Sequence, residues 1–353
     1  MLFEVTLVSA CIVLSAIICS AIVFRKFSCL SCHLKYHYLG LKYHLHDIIN
    51  IKHNQIDLSS KPNKVAIVTG GSRGIGAEVV KKLLQCDMEV IIACRTLEAG
   101  NKLIDEIRKS GIVSGKAKVY KLDNASFESV RSFAKRIKTD YDQIHILINN
   151  AAIMFPAVCR KTEDGYEEQW AVNYLSHFLL TSLLLPLLKA GGRPGECSRI
   201  VNVSSCAQDV GTIIFDNNDF SGKTFCTHAG YGQSKLAQTM STITLQKLLN
   251  DKSLNVLVYV VHPGIVKTDL FKEQFVSNNK IKWIMSAWKT PDQGATSVVY
   301  AAISKDIEKK GGIYISNCKE RFFPLSIGKE EIHERLFKLS LKQVHLKDFF
   351  QYL

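Results

Sequence analysis

Short runs rich in valine and isoleucine alternate along most of this chain with longer amphipathic stretches, and this alternation restricts the fold more than any other feature. The strand-like runs are 64–69, 89–94, 117–122, 144–149, 198–204, 255–261 and 312–316. The helical patterns are 74–86, 96–110, 126–139, 166–190, 229–250 and 291–304. Runs that are apolar on both faces and separated by helices indicate a parallel sheet covered on both sides. The sequence therefore predicts one α/β domain over residues 62–325, a doubly wound, three-layer parallel sheet of seven strands.

A glycine-rich turn directly follows the first strand and opens the first helix. It contains Gly70, Ser72, Arg73, Gly74, Ile75 and Gly76. Glycines permit a tight turn, and the backbone N–H groups at a helix N-terminus attract phosphate. The turn, placed on the first strand of a βαβ unit, predicts a binding site for the pyrophosphate of a dinucleotide.

The end of the second strand indicates which dinucleotide is bound. NAD-binding sites of this kind carry an Asp or Glu there, which accepts a hydrogen bond from the ribose 2′-hydroxyl. This strand ends in Cys94 and Arg95 instead. Arg95, together with Arg73, offers charge-assisted hydrogen bonds to a 2′-phosphate. The sequence favours NADP(H) as cofactor, with NAD(H) as the alternative.

A tyrosine and a lysine one helical turn apart provide a candidate acid/base pair. Tyr231 and Lys235 fall on the same face of their helix, so the ammonium can lie near the phenol. A nearby positive charge favours the phenolate and would make Tyr231 a proton donor and acceptor at neutral pH. Ser205, at the carboxyl end of the fifth strand, is placed to hydrogen-bond the reacting oxygen. Ser204 is the competing candidate, because alternation turns only one of the two toward the cleft.

Taken in order over residues 64–317, these motifs resemble those of the short-chain dehydrogenase/reductase (SDR) family. They are TGGSRGIG at 69–76, Asp123 after the third strand, NNAA at 149–152, Asn173 within VNYLSHF, NVSS at 202–205, YGQSK at 231–235 and HPGIVKT at 262–268. Within the family, the motifs resemble those of the retinol-dehydrogenase-like members. Residues 289–302 are most similar to the X-linked dehydrogenase/reductase member.

The resemblance implies a Rossmann fold and assigns roles that spacing alone does not. It implies a catalytic tetrad of Asn173, Ser205, Tyr231 and Lys235, in which Asn173 supports a water connecting Lys235 to solvent. It also implies cofactor contacts by Asp123 to the adenine, by Asn150 and Ala151 along the cofactor, by Lys235 to the nicotinamide ribose and by Thr268 to the carboxamide. No metal site is expected.

The first 25 residues predict a membrane anchor. Val5–Phe24 contains no charged residue and is long enough, as a helix, to span about 30 Å of hydrocarbon. Arg25 and Lys26 follow it, which favours a retained anchor with the remaining chain in the cytosol over a cleaved leader and secretion. Residues 26–61 are basic and are expected to be a juxtamembrane linker on lipid headgroups. We expect a membrane location, in the endoplasmic reticulum or on lipid droplets.

The substrate class follows from the anchor and from an apolar loop. Between Thr268 and Pro291 the chain carries several large apolar residues, which either cover the substrate cleft or pack on the protein. With a membrane anchor, lipophilic alcohols and carbonyls are favoured: retinoids, polyisoprenoids or steroids. The segment 326–353 is expected to be an extension with an amphipathic helix that closes the cleft, contacts lipid or pairs with a second copy.

Two further function classes are less well supported. The net charge is +13, but no basic stripe with interleaved aromatic residues is present, which argues against a nucleic-acid partner. A nucleotide-binding scaffold that has lost turnover is the rival to the enzyme, and the complete tetrad argues against it. The sequence therefore predicts an NADP(H)-dependent oxidoreductase in which Tyr231 acts as acid/base on a lipophilic carbonyl or alcohol.

Overall fold

The computed structural model describes residues 35, 36, 38–215, 226–268, 270 and 288–353. The predicted anchor and most of the apolar loop lie outside these residues. A first helix, α1, includes residues 35, 36 and 38–50. The strands are β1 (Val65–Thr69), β2 (Glu89–Cys94), β3 (Lys116–Lys121), β4 (Ile146–Asn149), β5 (Ser198–Val203), β6 (Val256–His262), β7 (Ile313–Ser316) and β8 (Lys319–Arg321). The longer helices are α2 (Gly74–Gln85), α3 (Leu97–Lys109), α4 (Phe127–Asp140), α5 (Glu168–Gly191), α6 (Thr227–Asp251), α7 (Pro291–Ile303) and α8 (Glu330–Gln343).

The strands form one sheet in the order β3-β2-β1-β4-β5-β6-β7-β8. The first seven strands are parallel, as the sequence predicts, and the order reverses between β1 and β4. The prediction of a doubly wound sheet is confirmed. Ligands bind in such sheets at the carboxyl ends of the strands beside this reversal.

An eighth strand extends the predicted sheet. β8 pairs antiparallel with β7 at the sheet edge. Its three residues, Lys-Glu-Arg, carry no apolar pattern, so hydrophobic periodicity could not predict it. A short charged strand is a common way to end a sheet, because it discourages pairing with another chain.

Alternation along the strands divides the interior into two cores. On β1, Ile67 faces one core, which α4, α5, α6 and α8 cover, while Ala66 and Val68 face the other, covered by α2, α3 and α7. Within the described part of the chain, α5 is the one helix long and apolar enough to cross a membrane. Its apolar window is 94% buried inside the protein, so α5 is a core helix of the domain.

The carboxyl-terminal segment is part of the domain core, although the sequence suggested an extension beginning at residue 326. Phe349 is 1% exposed and its ring centroid lies 5.0 Å from that of Phe178. Tyr174 of α5 shares a hydrogen bond with Ser340 of α8, and Ser182 donates to the carbonyl oxygen of Phe349 at 2.6 Å. The apolar face of α8 is therefore covered within the chain itself.

Residues 38–61 also belong to the domain, where the sequence suggested a linker over 26–61. The hydroxyl of Tyr43 donates to Asp209 at 2.8 Å, and Asp47 pairs with Lys289. Asn54 donates to the carbonyl oxygen of Gln293 at 2.7 Å. These partners lie more than 160 residues away along the chain, so local pattern gave no sign of the packing.

Candidate active site

A cleft of about 320 Å³ lies at the carboxyl ends of the central strands. All the residues predicted to bind the cofactor line it, together with Tyr231 and Lys235. They are Gly70, Ser72, Arg73, Gly74, Ile75, Gly76, Arg95, Asp123, Asn150, Ala151 and Thr268. Residues separated by almost 200 positions in the sequence therefore share one site, because each follows the end of a parallel strand.

The glycine turn is packed too closely for side chains. A Cβ on Gly76 would lie 2.3 Å from the carbonyl oxygen of Gly70, and one on Gly70 would lie 2.9 Å from the Cα of Ala151. Gly70 and Gly74 have φ values of +62° and +55°, which favour glycine. Arg73 caps α2 without a side-chain hydrogen bond, so the first turn of the helix presents its N–H groups at the cleft. The turn fits a pyrophosphate.

Thr69 holds the turn against the end of β4, a role that the sequence analysis did not assign. Its hydroxyl oxygen accepts the backbone N–H groups of Asn150 at 2.9 Å and Ala151 at 3.0 Å. The side-chain amide of Asn150 donates to the carbonyl oxygen of Thr69 at 2.8 Å. The imidazole of His177 lies 3.0 Å from the same hydroxyl. The sequence feature that could have indicated this role is the position of Thr69 at the end of β1, directly before the glycine turn.

Asp123 and Arg95 line the part of the cleft where the sequence predicts the adenine. The carboxylate of Asp123 accepts the backbone N–H of Ala125 at 2.9 Å, and the hydroxyl oxygen of Ser129 accepts the backbone N–H of Asp123 at 2.9 Å. These contacts fix the loop after β3. Arg73 and Arg95 are both exposed at the rim of the cleft. The two guanidinium groups are therefore available to an anionic ligand at the rim of the cleft.

Tyr231 and Lys235 lie one turn apart on α6, and Lys235 Nζ is 5.9 Å from the centroid of the phenol ring. Lys235 Nζ donates to the carbonyl oxygen of Val203 at 2.7 Å. Burial lowers the pKa of Lys235 to about 7. The sequence predicted that the lysine charge would lower the pKa of the phenol. Burial instead raises the pKa of Tyr231 above its ordinary value, partly offset by a hydrogen bond with Ser205.

The choice between the two serines is decided by their partners. Ser204 lines the cleft, but it is buried, and its hydroxyl is engaged by Gln208, Thr239 and the carbonyl oxygen of Lys235. Ser205 does not line the cleft itself; its hydroxyl oxygen accepts the backbone N–H of Ala207 at 3.2 Å, and it is the serine whose side chain lowers the pKa of Tyr231. The next residue, Cys206, is a half-buried free thiol; removal of water from around the sulfur raises its pKa to about 12, so it stays protonated.

Asn173 lies behind the cleft and is fully buried in a π-helical turn, Ala171–Leu175. Its side chain accepts the backbone N–H of Ile153 at 2.9 Å and donates to the carbonyl oxygen of Ile153 at 3.0 Å. It also donates to the hydroxyl of Ser234 at 3.1 Å. Asn173 therefore joins α5, the loop after β4 and α6, and its contacts within the described chain do not include Lys235.

The surroundings of Tyr231 are aromatic. The ring centroids of Phe155 and Tyr231 are 5.4 Å apart, and the ring centroid of Tyr36, at the start of α1, lies 5.5 Å from that of Phe155. Leu270, from the predicted apolar loop, also lines the cleft. The other apolar residues of the loop fall at 271–288, almost all of them outside the described residues.

Comparison with known proteins gives a consistent result. The family model described as short chain dehydrogenase matches residues 64–279. Human polyprenol dehydrogenase is 40% identical over 264 residues, covering 74% of this chain and 78% of that protein. Mouse retinol dehydrogenase 12 is 36% identical over 280 residues, covering 79% and 85%. An uncharacterized protein from Mycobacterium paratuberculosis has a solved structure with a TM-score of 0.66 and 26% identity, covering 82% of this chain and 96% of that one. The likeness to the X-linked member stays a prediction.

Proposed function

Because this chain belongs to the short-chain dehydrogenase family, whose members act on CH–OH and C=O groups with NAD(P), we propose that it transfers hydride between NADP(H) and a lipophilic alcohol or carbonyl compound. The observation that carries the proposal is the single cleft that joins the glycine turn to Tyr231 and Lys235. Relatives named for polyprenol and retinol support a polyisoprenoid or retinoid substrate over a steroid.

Tyr231 is the proposed acid/base. The bound nicotinamide would supply or accept the hydride. Burial keeps the phenol protonated, because it raises the pKa of Tyr231, and a protonated phenol is ready to donate to the oxygen of a carbonyl substrate. Ser205, whose side chain lowers the pKa of Tyr231, is the proposed partner that holds the same oxygen. This arrangement favours reduction of a carbonyl.

Preference for NADP(H) rests on charge at the rim of the cleft. Arg73 and Arg95 are exposed there, and β2 ends without the carboxylate that an NAD-binding site would use. A charge-assisted hydrogen bond to phosphate is about twice as strong as a neutral one. The two arginines therefore support selection of the phosphorylated dinucleotide.

The proposed location is a membrane, in the endoplasmic reticulum or on lipid droplets, with the catalytic domain in the cytosol. The support is in the sequence: Val5–Phe24 carries no charge, and Arg25 and Lys26 follow it. A lipophilic substrate would be dissolved in the same membrane.

The test is turnover by the purified full chain with NADPH or NADH and with retinal, a polyprenal or a ketosteroid. We expect Tyr231→Phe to lower the turnover rate by about 10²–10⁴-fold, the usual contribution of a general acid. Tyr352→Phe, at an exposed tyrosine near the carboxyl terminus, is the control and should be unaffected. Wild-type rates from Tyr231→Phe would exclude the proposed acid.

The nucleotide preference has its own test. Arg95→Glu should raise KM for NADPH by about 10-fold or more, since a lost charged hydrogen bond costs about 1.5–3 kcal/mol, and should leave KM for NADH nearly unchanged. Equal catalytic efficiency of the wild-type protein with NADPH and NADH would contradict the proposed selection of NADP(H) by Arg73 and Arg95.

A further inference from the structure

Helix α1 exposes large apolar side chains to solvent on one face. They are Tyr38, Leu41, Leu45, Ile48 and Ile49, with Ile49 71% exposed and Tyr38 68%. Their spacing of three and four residues places them along one stripe of the helix. The opposite side of α1 turns the polar groups of Tyr43 and Asp47 toward the domain. A surface helix of a soluble protein normally has the reverse orientation, apolar side inward.

Two more exposed apolar side chains lie on a segment that is tied to α1. Phe322 and Leu325 are fully exposed. The segment that carries them is held next to α1 at both ends. Before it, Asn317 donates to Asp47 of α1 at 3.0 Å. After it, Ser326 donates to the carbonyl oxygen of Gln208, whose neighbour Asp209 accepts from Tyr43 of α1. We call the stripe together with Phe322 and Leu325 the α1 apolar face.

The exposed charges on and beside α1 are positive, while on β8 the exposed Glu320 is paired with Lys310. Lys35, Lys42 and Lys52 are exposed on or beside α1, and Lys319 is exposed on β8. Between residues 35 and 52 the sequence has a single acidic residue, Asp47, which is buried against Lys289. An apolar face bordered by lysines is typical of helices that lie in the interface of an anionic membrane. Interfaces between proteins are instead depleted of lysine.

The start of α1 is also close to the active site and, in the sequence, to the predicted anchor. Tyr36, at the start of α1, contacts Phe155, and Phe155 contacts Tyr231. In the sequence, the first helical residue described, Lys35, lies 11 residues after the uncharged stretch that ends at Phe24. A bilayer contacting this face would therefore meet the domain at the side where Tyr231 is reached.

We propose that the α1 apolar face rests in the surface of a lipid bilayer, with its leucines and isoleucines at the level of the acyl chains and its lysines among anionic headgroups. This is a second membrane contact, separate from the predicted anchor, and it sets the orientation of the catalytic domain. It deepens the proposed function and rests on it for one consequence: a lipophilic substrate reaches Tyr231 directly from the bilayer.

Site-specific photocrosslinking tests the contact. The full chain, carrying p-benzoylphenylalanine at Leu45 or at Leu325, is reconstituted into phosphatidylcholine–phosphatidylserine vesicles, irradiated and analysed by mass spectrometry. The matched control is Val113, which is 80% exposed and precedes β3 at the opposite edge of the sheet. We expect lipid adducts at residues 45 and 325 in several-fold higher yield than at 113. Equal yields, or crosslinks to a second copy of the chain in place of lipid, would overturn the proposal.

A kinetic measurement separates this inference from the proposed function. The double variant Leu45→Glu, Ile49→Glu should raise KM several-fold for retinal dissolved in vesicles and leave the kinetics with a water-soluble aldehyde unchanged; Val113→Glu should alter neither. An unchanged KM for the vesicle-dissolved substrate would refute the membrane contact. Absence of wild-type activity with every carbonyl compound would refute the proposed function, while the crosslinking result would still decide the membrane contact.

Discussion

The ammonium of Lys289 lies 3.2 Å from the carboxylate of Asp47, and both side chains are almost fully buried. The same carboxylate accepts the backbone N–H of Ile265 at 2.9 Å. The carbonyl oxygen of Ile265 in turn accepts the N–H of Lys289, and Lys267 donates to the carbonyl oxygen of Lys289, both at 2.9 Å. One carboxylate on α1 therefore ties this helix both to residues 265–267, after β6, and to Lys289, just before α7.

Removal of the Asp47 charge should destabilise the protein. Asp47→Asn leaves the Lys289 ammonium buried without its anionic partner, and such a change costs about 3–5 kcal/mol. Thermal or urea unfolding measures it. Asp57→Asn, at an exposed aspartate, is the control and should stay within about 0.5 kcal/mol of wild type. A similarly small loss of unfolding free energy in both variants would mean that the Asp47–Lys289 ion pair contributes little to stability.

The Asp47 contribution should also depend on pH. Burial raises the pKa of Asp47, but attraction to His262 and Lys289 and hydrogen bonds from Ile265 and Asn317 outweigh it, so the pKa lies below its ordinary value. An acid whose pKa is depressed by folding stabilises the fold above its unfolded pKa and loses this as the pH falls through the folded pKa. The stability difference between wild type and Asp47→Asn should therefore be full at neutral pH and disappear in acid.

Lys235 should give a pH dependence of the same sign in a more alkaline range. Burial lowers its pKa to about 7, so between about pH 7 and its ordinary pKa the unfolded chain holds a proton that the folded chain lacks. Stability of the nucleotide-free protein should rise with pH across this window. Lys235→Met should flatten that rise, and unfolding measured at several pH values compares the two slopes. Identical slopes would mean that Lys235 stays charged at neutral pH.

Substitution of two glycines should affect different properties, nucleotide affinity at Gly76 and stability at Gly40. In Gly76→Ala the new methyl group would lie 2.3 Å from the carbonyl oxygen of Gly70, so the turn must shift and nucleotide affinity should fall at least 10-fold. A methyl group added at Gly40 in α1 would meet no atom within 4 Å, and Gly40→Ala should stabilise the protein by about 1 kcal/mol. Nucleotide titration and thermal unfolding measure the pair. Undiminished nucleotide affinity in Gly76→Ala would contradict the assigned pyrophosphate site.

The carboxyl-terminal segment should contribute directly to stability. Phe349 packs against Phe178 and Phe337 with 1% of its surface exposed, so Phe349→Ala should cost about 3–5 kcal/mol of unfolding free energy. Leu353→Ala, at the 43% exposed last residue, is the control and should change little. Equal stability of the two variants would show that the segment is an extension, as the sequence alone suggested.

The choice of Ser205 over Ser204 illustrates where sequence reasoning stops. Alternation along β5 requires that the two serines face opposite ways, but it does not say which of them faces Tyr231. The partners of Ser204, Gln208 and Thr239, come from a turn and a helix that pack on the strand only in the folded chain. The orientation of the pair therefore depends on tertiary contacts.

The sequence by itself determined the order of strands and helices, the glycine turn and the pairing of Tyr231 with Lys235, because these depend on residues a few positions apart. Only the tertiary structure placed α1 and α8 on the domain and added β8 to the sheet. It also reversed the expected effect on the pKa of Tyr231. Burial depends on which distant segments cover a side chain, and removing water from around the phenol outweighs a single neighbouring charge.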